Sequence, residues 1–214
     1  MSLVAATMLG FSLGMKHALE ADHVAAVCTF VAHGGSVARA AKAGALWGVG
    51  HAAVIVLAGG TLVATGASVP APIALALDLA VAAMLIGLGL TSILSRRAPP
   101  THDHSHDHAH DQDASTRRLL AIGLVHGASG TAALTLLVAS TIQVRAEALA
   151  FVTIFGLASV VGMAFIAALV AWPLRSVAHH APGHVRSLQS MAGAASIVAG
   201  VAVAWSTVAP AMQS

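Results

Sequence analysis

Charged side chains are scarce in this sequence, which has ten Lys and Arg and eight Asp and Glu residues among 214. Soluble domains carry about 25% charged residues, so a chain with 8% charged and 57% hydrophobic residues cannot cover a water-facing surface. The net charge is only +2 and the basic residues are dispersed between apolar segments, which argues against a nucleic-acid-binding patch. The composition therefore indicates a polytopic membrane protein.

Cysteine pairs and nucleotide-binding motifs are also lacking. The single cysteine, Cys28, excludes a disulfide framework and a Cys-x-x-Cys thiol relay. No segment resembles a Walker A loop, so we do not expect this chain to hydrolyse ATP itself. The protein is not expected to be an enzyme, and any ATP hydrolysis would belong to a partner subunit.

Long apolar runs dominate the sequence instead. A membrane-spanning helix needs about 20 apolar residues, and six segments meet this length: 3–32, 43–67, 71–95, 119–142, 146–174 and 188–209. The first is too long for one straight helix and contains Gly10, Gly14 and several charged residues, so we expect it to be broken or bent, with Gly14 as a plausible site of the break. The predicted fold is an all-α membrane protein with about six transmembrane helices.

Two short patterns recur along the chain. The pattern Gly-x-x-His at 14–17 returns at 123–126, and Gly-Val-Gly-His at 48–51 corresponds to Gly-Leu-Ala-Ser at 156–159. Because each half contains three spans, the halves must run in opposite directions, as in the inverted repeats of secondary transporters. We therefore predict one transport domain made of a first repeat at 1–95, a His/Asp-rich loop at 96–118 and a second repeat at 119–214.

The distribution of basic residues predicts the orientation. Cytoplasmic loops of membrane proteins carry an excess of Lys and Arg. Eight basic residues flank the first, third and fifth loops, against Arg145 and Lys16 elsewhere: Arg39, Lys42, Arg96, Arg97, Arg117, Arg118, Arg175 and Arg186. We expect these loops in the cytosol and both termini outside, in a cytoplasmic membrane of the bacterial type.

Five ionisable residues, Lys16, His17, Glu20, Asp22 and His23, interrupt the first apolar segment. A charge at the centre of a bilayer costs about 2.5–3.5 kcal/mol on insertion scales, so the cluster should pair internally, line a water-filled path or bind an ion. Two imidazoles and two carboxylates are typical ligands of a divalent transition metal. The alternative is an ion-paired network that only joins two helices.

The spacing of these residues limits how they can meet. On an ideal helix His17, Glu20 and His23 share an arc of about 120°, whereas Asp22 lies about 100° to one side. Convergence of His17, Asp22 and His23 on one ion therefore requires a break in the helix or a neighbouring helix. Lys16 is expected to neutralise Glu20 one helical turn later.

Three motifs of this sequence resemble those of a known family. The pattern His-x4-Asp-His at 17–23 is similar to the signature of the nickel/cobalt transporters, and 48–54 is similar to their second motif, a Gly-His followed by small and β-branched residues. The segment Leu-Val-His-Gly-Ala-Ser-Gly-Thr-Ala-Ala at 124–133 resembles the short, urease-associated UreH-like branch. The resemblance implies transport of divalent nickel or cobalt, with recognition by His17, Asp22 and His23.

Three further residues are candidates for the same site. His51 and His126 would approach the ion from the second and fourth spans, although each could instead stabilise helix packing. Glu20 is a candidate ligand or proton carrier, or else a surface charge. Asp78, an acidic residue in the third span, could collect cations near the outer end of its helix or simply reach towards the interface.

The loop between the third and fourth spans contains a tract of alternating His and Asp, with His102, His104, His106, His108 and His110. Such a tract has no apolar face to pack and is expected to be mobile. It would bind several late first-row metals with little selectivity. We interpret it as an accessory collector of metal on the cytosolic side, with a linker of no function as the alternative.

These observations favour a secondary transporter that takes up divalent nickel, or cobalt, with no permanent cofactor. An efflux protein would use the same ligands and is the main alternative. An intramembrane zinc enzyme, with His17, His23 and Asp22 as ligands and Glu20 as base, is disfavoured because His-Glu-x-x-His is absent. The expected partners are the metal ion, the lipid bilayer and a cytosolic metal chaperone or nickel-enzyme maturation protein, and no nucleic acid.

Overall fold

The computed structural model describes residues 1–31, 36–94, 108–180 and 184–211. Every secondary-structure element within these ranges is helical, which confirms the all-α prediction. The helices are α1 (Leu3–His17), α2 (Ala21–Val31), α3 (Val37–Val54), α4 (Gly60–Thr65), α5 (Ala71–Leu94), α6 (His108–Thr141), α7 (Arg145–His180) and α8 (Val185–Ala211). A π-helical turn, Ile55–Gly59, joins α3 to α4 without a break.

Among the residues that the structure describes, four helical segments are long and apolar enough to cross a membrane: Val37–Thr65, Ala71–Leu94, Arg145–Val177 and Val185–Ala209. Their outward faces carry large apolar side chains, and Leu57, Trp172 and Trp205 are 71%, 71% and 72% exposed. Such surfaces suit lipid rather than water. The chain is therefore a multi-pass membrane protein, and the count of six spans stays a prediction because α1, α2 and α6 are not among the four.

The first apolar segment is broken, as the sequence predicts. Helix α1 ends at His17 and α2 begins at Ala21. The chain tightens between them, because the Leu19 and Glu20 amides donate to the carbonyls three residues earlier, at 2.9 and 3.0 Å. The Glu20 carbonyl then accepts the first hydrogen bond of α2, from the Val24 amide at 3.0 Å. The break thus falls inside the ionisable cluster and separates His17 from Asp22 and His23.

Gly14 has a different role from the one expected, because it lies within α1 and not at the break. A Cβ at this position would stand 2.4 Å from the Phe155 carbonyl oxygen of α7. Only a residue without a side chain allows the two backbones to come so close. Gly14 therefore sets the packing of α1 against α7, and this packing fixes where the end of α1 lies.

The predicted loop at 96–118 needs correction at its C-terminal end. Helix α6 begins at His108, well before the predicted start of the fourth span at residue 119. Once a helix is nucleated, each added residue gains a backbone hydrogen bond at little cost. A helix held by its membrane-embedded part can therefore extend into a polar segment, which apolar periodicity does not reveal.

The contacts between helices are repeated when the two halves of the chain are compared, with α1 and α2 corresponding to α6, α3 to α7, and α5 to α8. The contact of α1 with α7 thus corresponds to that of α6 with α3, and the contact of α2 with α8 corresponds to that of α6 with α5. The pairs α3–α7 and α5–α8 each join two corresponding helices. Gly123 of α6 lies over the Trp47 carbonyl as Gly14 of α1 lies over the Phe155 carbonyl. This arrangement supports two inverted repeats, and the proposed repeat boundaries stay a prediction.

Two apolar clusters flank the middle of this bundle. One is built around Trp47, Leu85 and Met163, and the other around Ile55 and Phe151. The ionisable residues of the first segment lie between helices that contribute to these two clusters. Close packing in both clusters therefore fixes the positions of these residues.

Candidate metal centre

The break between α1 and α2 brings the ionisable residues to two helix ends. His17 is the last residue of α1, and Asp22 and His23 occupy the first turn of α2. The Asp22 carboxylate accepts a hydrogen bond from the His23 backbone amide at 2.9 Å. A carboxylate in the first turn of a helix is stabilised by the unpaired amides and the helix dipole. The start of α2 therefore helps to hold the Asp22 carboxylate in place.

His23 lies at the centre of a group of four imidazoles. Its ring centroid lies 4.3 Å from that of His17, 5.1 Å from that of His51 and 4.2 Å from that of His126. The four rings come from α1, α2, α3 and α6. His23, His51 and His126 are 1%, 0% and 2% exposed. The sequence predicted His51 and His126 near His23, and the fold places both beside it.

Asp22 bridges two of these imidazoles. Its Oδ1 lies 3.0 Å from His23 Nδ1, and its Oδ2 lies 2.9 Å from His126 Nε2. Each contact requires the imidazole nitrogen to donate, because an ionised carboxylate only accepts. A neutral ring that donates through one nitrogen carries a lone pair on the other. The remaining nitrogens, His23 Nε2 and His126 Nδ1, are buried without a hydrogen-bond partner among the described residues.

His17 shows the same arrangement with the second carboxylate. Its Nδ1 lies 2.9 Å from Glu20 Oε2, and its Nε2 lies 3.1 Å from His51 Nε2. A donating Nδ1 leaves the Nε2 lone pair directed at His51. Glu20 thus pairs with His17 and not, as predicted, with Lys16, which is exposed. His51 Nδ1 also lacks a partner in the described part of the chain.

Two groups of potential ligand atoms share His23. One contains His17, His23 and His51, the other Asp22, His23 and His126, and within each group the atoms lie within 4.8 Å of one another. Two ligands on opposite sides of an ion with bonds of about 2.1 Å are about 4.2 Å apart. Shifts of about half an ångström would therefore bring either group onto one ion.

Aromatic rings enclose the cluster. The fully buried Trp47 ring lies 5.5 Å from both the His23 and His126 rings, and the Phe155 ring lies 5.3 Å from that of His17. These rings cover the His23, His51 and His126 side of the cluster, where a low dielectric strengthens charge interactions. Trp47 was not a sequence candidate, although it lies four residues before His51 and hence on the same helix face.

The structure describes only part of the histidine tract. His108 and His110 lie at the start of α6. His102, His104 and His106 lie outside the described residues. The role of the tract as a metal collector therefore stays a prediction.

Fold and site together define a class: a multi-pass all-α membrane protein with a buried cluster of imidazoles and carboxylates. No family model matches the chain, and no solved structure does. The chain is 33% identical over 178 residues to the urease accessory protein UreH of Bacillus sp. (strain TB-90), across 80% of this chain and 78% of that protein. The chain belongs to the UreH family, which confirms the UreH-like branch indicated by its motifs. The relative is named as an accessory protein, and the expectation that this chain is not an enzyme is confirmed with it.

Proposed function

We propose that this protein is a secondary transporter that carries divalent nickel, or cobalt, through the cluster around His23. The observation that carries the proposal is the meeting of four imidazoles and two carboxylates from separate helices in an apolar bundle. Ionisable groups at membrane depth are costly and mark ion pathways. The donor set is that of a late first-row divalent metal, and the family resemblance of the motifs points to nickel, with cobalt next.

Two of the nitrogens already lie close together. His17 Nε2 and His51 Nε2 are 3.1 Å apart, at hydrogen-bond distance. A bound ion would replace this contact with two metal–nitrogen bonds of about 2.1 Å. The choice of nickel, with cobalt next, rests on the family resemblance of the motifs.

The two carboxylates would orient the imidazoles and balance the charge. Asp22 holds His23 and His126 by one ring nitrogen each, and Glu20 holds His17 in the same way. Metal-binding histidines commonly donate their other ring N–H to a carboxylate, which fixes the tautomer and raises ligand basicity. Two carboxylates would also balance the charge of a bound dication.

Uptake requires no ATP under this proposal. A dication gains about 4.6 kcal/mol when it moves inward through 100 mV, which is sufficient for modest accumulation. The distribution of Lys and Arg supports a cytosolic position for the first, third and fifth loops. The ion would enter from the outer side, bind the cluster and leave towards a cytosolic chaperone or a maturation protein for a nickel enzyme.

Accumulation of nickel in cells tests this proposal. We expect cells that express the protein to accumulate several-fold more nickel than cells that express the His17→Ala/His23→Ala variant at equal membrane abundance. His180→Ala, which removes an exposed imidazole on α7, serves as the control and should behave as the wild type. Accumulation below that of the double variant would indicate efflux, and equal accumulation would refute transport through the cluster.

The histidine tract offers a separate prediction. Replacing His102, His104, His106, His108 and His110 with Ser preserves the length of the segment and removes its imidazoles. We expect nickel transport and metal preference to persist, with a shift of about two- to fivefold in the nickel concentration for half-maximal accumulation, because alternating His and Asp residues bind several late first-row metals with little selectivity. Complete loss of transport in a variant that reaches the membrane would place the tract in the translocation machinery.

A further inference from the structure

Asp78 is the single ionisable residue of α5, and the function proposed above leaves it unused. It is the eighth residue of the helix and lies about 10 Å from its start, at 1.5 Å per residue. Its neighbours Leu77 and Leu79 are apolar, and its own side chain is half-buried. A short aspartate cannot span that distance to the interface as a long lysine could. The carboxylate therefore lies within the apolar part of the bundle.

The partner of Asp78 connects it to the cluster. Ser129 Oγ of α6 donates to Asp78 Oδ1 at 2.5 Å. Ser129 follows His126 by three residues and lies on the same face of α6, one helical turn away. His126 in turn contacts Asp22. A single turn of α6 thus separates the Asp78 carboxylate from the imidazole cluster.

The residue after Ser129 lies next to the cluster. A Cβ at Gly130 would meet just one described atom outside its own helix within 4 Å, His17 Cε1 at 3.9 Å. A Cβ at Gly123 or Gly127 would instead lie 2.1 or 2.4 Å from a backbone oxygen of α3. The part of α6 that carries Ser129 and Gly130 is therefore close to His17 and is not pressed against α3.

A charged carboxylate at this depth requires compensation. In the described part of the chain no Lys, Arg or His forms an ion pair with Asp78. One hydroxyl donor satisfies a fraction of the acceptor capacity of an ionised carboxylate. A mobile cation would supply the missing charge, and oxygen atoms from a carboxylate, a hydroxyl and water suit a metal ion that keeps part of its hydration shell.

We propose that Asp78 and Ser129 form a second cation position, in which a partly hydrated divalent metal ion is held one helical turn from the cluster. This inference rests on the proposed transport function. The position lies towards the end of α6 and the start of α7, which is the outer side in the orientation that the basic residues favour. It would concentrate the ion at the entrance and pass it to His17 and His126, which remove its remaining water.

The test combines uptake with direct binding. Asp78→Asn preserves shape and an acceptor for Ser129 but removes the charge. We expect its KM for nickel uptake to rise about tenfold, the lower end of the effect of a focused charge on local ion concentration, with the maximal rate within about twofold of wild type. Titration of the purified protein in detergent with NiCl₂ should show a weaker second binding event that Asp78→Asn lacks, while binding at the cluster persists.

Control variants separate this role from that of another acid and from folding. Glu147→Gln removes an acid at the start of α7 whose side chain is 15% exposed and lies 3.5 Å from the N-terminal amine, and it should leave KM within about twofold. Asp78→Glu should retain the second binding event, and Ser129→Ala should raise KM about threefold.

If Asp78→Asn fails to reach the membrane, an unchanged KM for Ser129→Ala overturns the proposal. An unchanged KM for Asp78→Asn, or an equal rise for Glu147→Gln, also overturns it. Transport that survives in the His17→Ala/His23→Ala variant would instead refute the proposed function.

Discussion

Replacing Asp22 with asparagine is expected to lower nickel uptake about 100-fold, the upper end of the effect of losing a carboxylate that orients metal-binding imidazoles. Asp22 accepts from the His23 amide, His23 Nδ1 and His126 Nε2, at 2.9, 3.0 and 2.9 Å. Asparagine has one acceptor oxygen and presents N–H donors in place of the other. At least one imidazole must therefore rotate or change its tautomer, and the negative charge that would face the dication is lost.

Uptake of nickel normalised to protein in the membrane measures this effect. Glu20→Gln is the matched comparison, because Glu20 contacts one imidazole and its side chain is 52% exposed. Water can replace part of that contact, so we expect a loss of about fivefold or less for this variant, as for other exposed pairs. Equal losses for the two variants would show that the bridge between His23 and His126 has no special role.

Replacing Gly123 with alanine should destabilise the fold by about 3 kcal/mol, as overpacking of a core does. In an ordinary helix the same change stabilises by up to about 1 kcal/mol. Here the new Cβ would lie 2.1 Å from the Trp47 carbonyl oxygen and 2.9 Å from the His51 backbone nitrogen. Both are backbone atoms of α3 and cannot rotate away. Helices α3 and α6 must therefore separate, which also moves His51 away from His126.

Thermal unfolding of the purified protein in detergent tests this prediction. We expect the Tm of Gly123→Ala to fall by about 6–12 °C, given about 2–4 °C per kcal/mol for a chain of this size. Gly87→Ala is the matched control, because a Cβ at Gly87 would have no described atom of another helix within 4 Å. Its Tm should stay the same or rise slightly. A Tm for Gly123→Ala equal to that of Gly87→Ala would mean that α3 and α6 are not in close contact.

The break in the first helix shows what sequence reasoning can and cannot reach. The length of 3–32 and its embedded charges were sufficient to predict a break, because one straight helix could neither fit the bilayer nor bring Asp22 to His23 and His17. Gly14 was a candidate for the site of the break only because glycine has wide conformational freedom. Its actual role is contact with Phe155, and a contact 141 residues away leaves no local signal.

Sequence reasoning could predict neither the start of α6 nor the partners of the carboxylates. Apolar periodicity ends where polar residues begin, whereas backbone hydrogen bonding continues to His108. Proximity along the chain suggested a pair of Lys16 and Glu20, but the turn after α1 directs Glu20 to His17. The pairs Asp22–His126 and Asp78–Ser129 join different helices, so no spacing rule within one helix could predict them.

The sequence by itself determined that this is an all-α membrane protein, that its first apolar segment is interrupted, and which histidines and carboxylates are candidates for one site. These conclusions follow from composition and from the cost of charge in lipid, both of which act on the chain locally. The tertiary structure alone decided which ring nitrogens face one another, that Trp47 covers the His23 and His126 rings, and that Ser129 of α6 donates to Asp78 of α5. Helix packing decides these matters, because closely packed glycines fix the rotation and spacing of the helices, and so the directions in which their side chains point.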